Sequence, residues 1–223
     1  MSAFEHGQVV TGAPFTATLE ETVTQKLADG NTITRTTTSQ FARDSQGRTW
    51  LQTTTNGLGP WASASGKKTT LTFINDPVAG TGYTLDQSAM TATQRTLRTR
   101  ANGAPEGMSR RQEFSESNAV KTSLGTQMMA PLPNLLQGTQ ITRTIPANTI
   151  GNAQAIVSTT TRWYSPDLKM VVMQTTTDPR MGTRTFQITN IQTGEPASTL
   201  FQVPSGYTVT ARPGRAAMRL SQQ

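Results

Sequence analysis

The residues able to do chemistry are few and poorly placed for it. The one histidine, His6, lies near the start of the chain, so a Ser-His-Asp relay has no base to work with. Ser65-Gly66-Lys67-Lys68 matches the spacing of a serine–lysine nucleophile. That chemistry needs the serine at a helix start so that the lysine faces it one turn later, and here the motif runs from a Gly/Ser loop into a strand. Ala64 to Thr69 also matches the end of a phosphate-binding loop, but Trp61 stands where the first glycine is required and no helix follows. Glu20 and Glu21 are neighbours on a strand, so they point to opposite faces and cannot share a proton. Glu21 falls on the apolar face, which places it at the rim of the sheet or in a cavity where desolvation would raise its pKa; the rim is the expectation. The absence of cysteine removes disulfides, thiolate zinc sites and thiol nucleophiles together, and no Asp/Asn spacing fits a calcium loop. No catalytic residue, metal or cofactor is expected, and the chain reads as a non-enzyme.

The elements that would carry any site are strands. From Phe15 to Leu27, Phe15, Ala17, Leu19, Val23 and Leu27 share one face while Thr16, Thr18, Glu20, Thr22, Thr24 and Lys26 share the other. Ala28-Asp29-Gly30-Asn31 supplies the positive-φ residue of a tight turn, and Thr32 to Arg43 returns with Ile33 and Phe41 on one face. Asp44 to Gly47 turns again into Arg48 to Thr55. Lys68 to Asn75, Gly82 to Asp86 and Met90 to Leu97 continue the meander. A second meander is expected from Val120 to Met129, Gly138 to Ile145, Gln154 to Tyr164, Leu168 to Thr177 and Thr183 to Gln192, then a helical turn near Pro196 to Phe201 and a last strand, Gly206 to Ala211. The fold class is therefore mainly β: a single antiparallel, strongly curved sheet or open half-barrel of about 10–12 strands with little helix. The chain reads as one β domain over residues 1–223, with a flexible N-terminus at 1–8, a mobile basic loop at 98–119 and a basic C-terminal tail at 212–223.

Composition agrees. Nearly one residue in five is Thr, whose β-branched side chain suits a half-solvated pleated surface. No apolar run is long enough to span a membrane as a helix. Met1 to Val10 lack a basic and an apolar leader segment, so the chain is either cytosolic or a mature form whose signal peptide has been removed. Residues 95–111 carry Arg95, Arg98, Arg100, Arg110 and Arg111 against Glu106, and the tail carries Arg212, Arg215 and Arg219 with no acid. These two stretches hold the whole net charge of +7, and the remainder is balanced. Such clusters attract polyanions, and they also serve simply as solubilising charge. The apolar candidates are Trp50, Trp61, Phe73, Tyr83, Trp163, Met170, Met173 and Phe186, drawn from different strands; together they either line a cavity for a long apolar ligand or fill an ordinary core.

An ordered series of motifs also carries a resemblance. It comprises Arg43-Asp44-Ser45-Gln46-Gly47-Arg48, Phe73 to Gly80, Arg162-Trp163-Tyr164-Ser165-Pro166-Asp167-Leu168, Asp178-Pro179-Arg180 and Leu200-Phe201-Gln202-Val203-Pro204-Ser205-Gly206-Tyr207. From about Val10 to Val209 the chain resembles a group of uncharacterised exported bacterial proteins of acidobacterial type. More distantly, its closing strand, hairpin and Phe-x-x-Pro-x-Gly-Tyr pattern resembles the periplasmic lipoprotein-carrier superfamily (LolA, LppX and RseB-like). The resemblance implies export to the periplasm or cell exterior and a half-barrel whose concave face, covered by helices, binds acyl chains. The sequence departs from that pattern in offering no helices for such a lid.

The expected function is thus a non-catalytic carrier or binding protein for an apolar or lipidic ligand on the concave face of the sheet. The alternative is a structural or adhesive envelope protein that self-assembles through its sheet edges. Partners follow accordingly: an apolar or lipidic ligand, an anionic envelope component, or further copies of the chain in a homo-oligomer or assembly, with nucleic acid not expected.

Overall fold

A computed structural model describes residues 9–55, 68–97 and 119–211. Twelve strands form one sheet: β1 (Phe15–Lys26), β2 (Thr32–Arg43), β3 (Thr49–Thr55), β4 (Thr69–Asp76), β5 (Thr81–Asp86), β6 (Thr91–Thr96), β7 (Ala119–Gln127), β8 (Leu136–Ile145), β9 (Ile156–Ser165), β10 (Met170–Asp178), β11 (Gly182–Thr193) and β12 (Thr208–Ala211). A 3-10 turn, Ser198–Phe201, precedes β12. The order is β12-β6-β5-β4-β3-β2-β1-β11-β10-β9-β8-β7. Two meanders thus share one sheet through β1 and β11, and the order is open, as the sequence leads one to expect. No helix among the described residues is long and apolar enough to cross a membrane.

One pairing differs in direction from the antiparallel ladders around it. β12 pairs with β6 in parallel, Thr208 opposite Thr91 and Ala211 opposite Gln94, so the sheet is not wholly antiparallel.

Contacts group the described residues into two compact units, one containing residues 18–38 and 119–192, the other residues 9–17, 39–55, 68–97 and 193–211. β1 and β2 run through both. In the second unit, Phe15 and Phe41 are buried with ring centroids 5.4 Å apart, and the Arg43 guanidinium sits 4.9 Å over the Phe15 ring. Arg43 is itself buried and donates from Nε and Nη2 to the Ala13 carbonyl. On the other side of that unit, Ile74, Leu85 and Ala92 form a core with Trp50, Tyr83, Val203 and Tyr207 packed against it.

Strand ends fall within a residue or two of expectation in most places, and alternation decides burial where it is clean. Phe15, Ala17 and Leu19 are all buried. Ile33, expected to share a buried face with Phe41, is 44% exposed, because residues 32–38 of β2 are exposed throughout. Thr runs distribute hydroxyls to both faces, since consecutive residues alternate. Thr160 bonds Thr176 at 3.2 Å on one face, while Thr177 bonds Thr183 at 3.3 Å on the other.

Candidate functional site

Each sequence-nominated residue that is described sits on one of the two units. In the second unit, Trp50 lies opposite Ile74, and Ile74 opposite Tyr83, so all three share a face and belong to the core just described. Phe73, one residue from Ile74, points to the other face and lies opposite Leu51. The fold therefore separates Phe73 from Trp50 and Tyr83. Trp61 lies outside the described residues.

In the first unit, Trp163 and Met173 are register partners across β9 and β10, and Met170 lies opposite Ser165, two residues along β9 from Trp163. Phe186 lies opposite Gln174, one position out of phase with Met173, so it points away from them and is buried with Ile188 near it on β11. Of the eight nominated apolar residues, the first unit brings together Trp163, Met173 and Met170 and turns Phe186 to the reverse side.

The surroundings of Trp163 follow from a missing side chain. Gly138 is the β8 register partner of Trp163, and a Cβ placed on it would lie 2.6 Å from Trp163 Cζ3 and 2.9 Å from Leu124 Cβ. The indole and Leu124 thus close over a strip that only glycine leaves free. Gln127 Nε2 on β7 donates to Met173 Sδ on β10 at 3.8 Å, spanning β8 and β9. Three inter-strand steps are about 14 Å, so two long side chains meet above the Gly138–Trp163 strip. Further along the same face lie Val120, opposite Thr142, and Val157, opposite Thr144. Val120 is 66% exposed, Leu124 40% and Val157 48%. Leu124 faces solvent beside the half-buried Trp163, a surface suited to apolar contact, whereas Val157 lies six residues along β9 from the indole, about 20 Å away. The sequence reading missed Leu124, Val120, Val157 and Gly138. Alternation along Val157, Thr159, Thr161 and Trp163 was available; the glycine opposite Trp163 required the register.

The acidic residues have partners. Glu21 accepts from Arg184 Nη2 at 2.7 Å with both side chains half-exposed. Glu20, on the opposite face, accepts from Gln187 and Thr189. Asp44, 1% exposed, accepts from the backbone of Gln46 and Arg48 and from Arg48 Nε. Asp178 accepts from Arg180 through backbone and guanidinium, and the Arg180 guanidinium holds its carboxyl below the usual carboxylate range. No group of three or more His, Asp or Glu among the described residues is placed to hold a metal.

Of the arginine clusters, only Arg95 is described. It is exposed and donates to Asn75 Oδ1, which lies beside Gly82 on the same face. Arg98, Arg100, Arg110, Arg111, Arg212, Arg215 and Arg219 lie outside the described residues, as do most of the expected loop at 98–119 and the tail at 212–223; β7 already begins at Ala119. The parallel pairing of β6 and β12 nevertheless sets Gln94 and Ala211 side by side, so the described chain stops at Leu97 and at Ala211 at the same end of the sheet.

No family model and no curated protein matches the chain. Solved structures similar to it include an uncharacterised conserved protein from Thermus thermophilus, at 7% identity and a TM-score of 0.46, covering 90% of this chain and 91% of that one. MucB, solved in complex with MucA(peri), is similar at 12% identity and a TM-score of 0.43, covering 88% of this chain and 56% of MucB. A LolA superfamily protein from Nitrosomonas europaea is similar at 8% identity and a TM-score of 0.35, covering 89% and 91% of the two chains. The neighbours include members of the lipoprotein-carrier superfamily that the closing pattern of the sequence resembles. At these identities and scores the likeness transfers no ligand and no activity.

Proposed function

We propose that this protein is a non-catalytic, exported binding or carrier protein for an apolar or lipidic ligand, and that the ligand lies against the Trp163 face of β7–β10. The observation that carries this reading is the exposed Leu124 closed over Gly138 together with Trp163, whose register partner is Met173, on strands otherwise rich in Thr. Met173 adapts to irregular apolar shapes through its flexible thioether, which suits an acyl chain. The chain acts as one β domain in this reading, since β1 and β2 pass through both compact units. Titration of a fluorescent acyl probe into the purified protein tests it. Saturable binding is expected, weakened about tenfold or more in Trp163→Ala, the loss expected from removing one large apolar contact, and unchanged in Trp50→Phe, which alters a packed core position. Absence of saturable binding sinks the reading.

A second reading rests on the adjacent ends of β6 and β12. Arg95 is exposed at that end, and the two arginine-bearing stretches of the sequence enter the chain from neighbouring positions. This favours an anionic envelope component as a partner, with affinity that falls steeply as salt rises. Self-assembly through the edges has less in its favour: β7 carries Lys121 and a bulge between Ser123 and Gly125, and β12 has only four residues, devices that blunt an edge.

A further inference from the structure

Arg162 points to the side of β9 opposite Trp163. Its register partners are Thr139 on β8 and Gln174 on β10, and Phe186 lies beyond Gln174 on β11. The next row on this face is Ile141, Thr160, Thr176 and Arg184. Ile141, Thr160 and Phe186 are buried, while Thr139, Arg162, Gln174, Thr176 and Arg184 are half-buried and leave this side open at its surface.

Within that setting Arg162 Nε is buried and has no hydrogen-bond partner among the described residues. A guanidinium keeps its charge at any ordinary pH, so burial cannot be relieved by deprotonation. Buried donors are nearly always satisfied, and one that is not calls for a partner. The acids on this face are already used. Glu21 is bound to Arg184, and Asp178 to Arg180. What surrounds Arg162 is a set of neutral hydrogen-bonding groups: the Gln174 amide donates to Thr176 Oγ1 at 3.5 Å, and Thr176 and Thr160 hydroxyls lie 3.2 Å apart. The row supplies donors and lacks a negative charge.

We propose that Arg162, with Thr139 and Gln174 as flanking hydrogen-bonding groups, forms a binding site for a small oxyanion, a phosphate or carboxylate group. A planar fork of N–H donors matches two oxygens of such a group, and hydroxyl and amide donors on the strands either side complete the contact. The site faces away from Trp163, so its occupancy is independent of the apolar-ligand reading, and either one survives the failure of the other.

The test follows the Arg162 Nε–Hε resonance in the folded wild-type protein, assigned by its disappearance in Arg162→Lys. Inorganic phosphate, acetate and a single-chain phosphate lipid are titrated separately, with chloride as the ionic-strength control. A saturable shift of that resonance with free phosphate or acetate, absent with chloride, supports a site for a free anion. A shift with the lipid alone supports a headgroup. Binding measured calorimetrically weakens about tenfold or more in Arg162→Gln, as expected for loss of a charge-assisted contact, and stays within twofold in Arg184→Gln. A resonance that none of the three anions moves beyond the chloride control overturns the proposal, whatever the variants do. Binding that persists unchanged in Arg162→Gln overturns it equally.

Discussion

The guanidinium carbon of Arg48 lies 5.1 Å above the ring of Phe201, joining the turn that opens β3 to the 3-10 turn that precedes β12. Arg48 also donates through Nε to Asp44, and Ser45 next to it donates to Glu195 from both N and Oγ. The segments Arg43–Arg48 and Leu200–Tyr207, far apart in sequence, are thus one structural assembly within a single unit. Arg48→Ala strands the Asp44 carboxylate in a site it cannot leave, since Asp44 is 1% exposed. The expected cost is about 1.5–3 kcal/mol, the range for a lost hydrogen bond to a charged group. Urea unfolding measures it, and Arg48→Lys recovers part of the loss because an ammonium restores the charge without the planar stacking.

Two glycines with the same backbone sign separate strain from crowding. Gly151 has φ +85° with open space where a Cβ would go, whereas Gly182 has φ +83° and its Cβ would press on the Thr24 carbonyl and Gln25 Cα. Gly151→Ala is expected to cost about 1 kcal/mol from conformation alone, and Gly182→Ala more than about 3 kcal/mol because backbone must move as well. Equal thermal shifts in the two variants would contradict the close approach of β1 to the β10–β11 turn.

The Asp178 carboxyl is held low by the Arg180 guanidinium. A carboxylate with a depressed folded-state pKa stabilises the fold above its ordinary pKa, and that stability is lost as pH falls through the lowered value. The stability difference between wild type and Asp178→Asn is therefore flat near neutrality and shrinks below about pH 4. Denaturant midpoints measured from pH 7 down to pH 2 check the sign; a difference that grows on acidification would refute it.

Because β1 and β2 thread both units, unfolding is expected to be cooperative. Variants retaining Trp50 as the one tryptophan report on one unit, and those retaining Trp163 report on the other. Coincident midpoints for the two probes are the expected result, and separated ones would show the units melting apart.

The strands were legible because their alternation is long and their turns carry Asp, Gly and Pro. β1 and β2 are placed to within a residue by Phe15, Leu19, Asp29-Gly30 and Phe41. The parallel β12 was not legible, since Thr208–Ala211 is short and nothing in its residues encodes strand direction. Nor was the split of the aromatic set. Phe73 and Phe186 face away from Trp50 and Trp163 because pairing shifts by one position in a sheet exchange faces, and β9–β10 carries a bulge between Val171 and Met173 that breaks simple counting. Arg162 was visible within the Arg162–Leu168 motif, but an arginine among threonines announces nothing until its burial is known.

The pairing of β6 with β12 also bears on how the protein is made. As the chain emerges in order, β6 is finished early and its outer rim of amide and carbonyl groups stays uncovered throughout production of the second meander. During that interval a nascent chain offers a free ribbon to any neighbour. The shielding arrives only with the final strand, so truncations that remove Thr208–Ala211 should aggregate while the rest of the sheet remains intact.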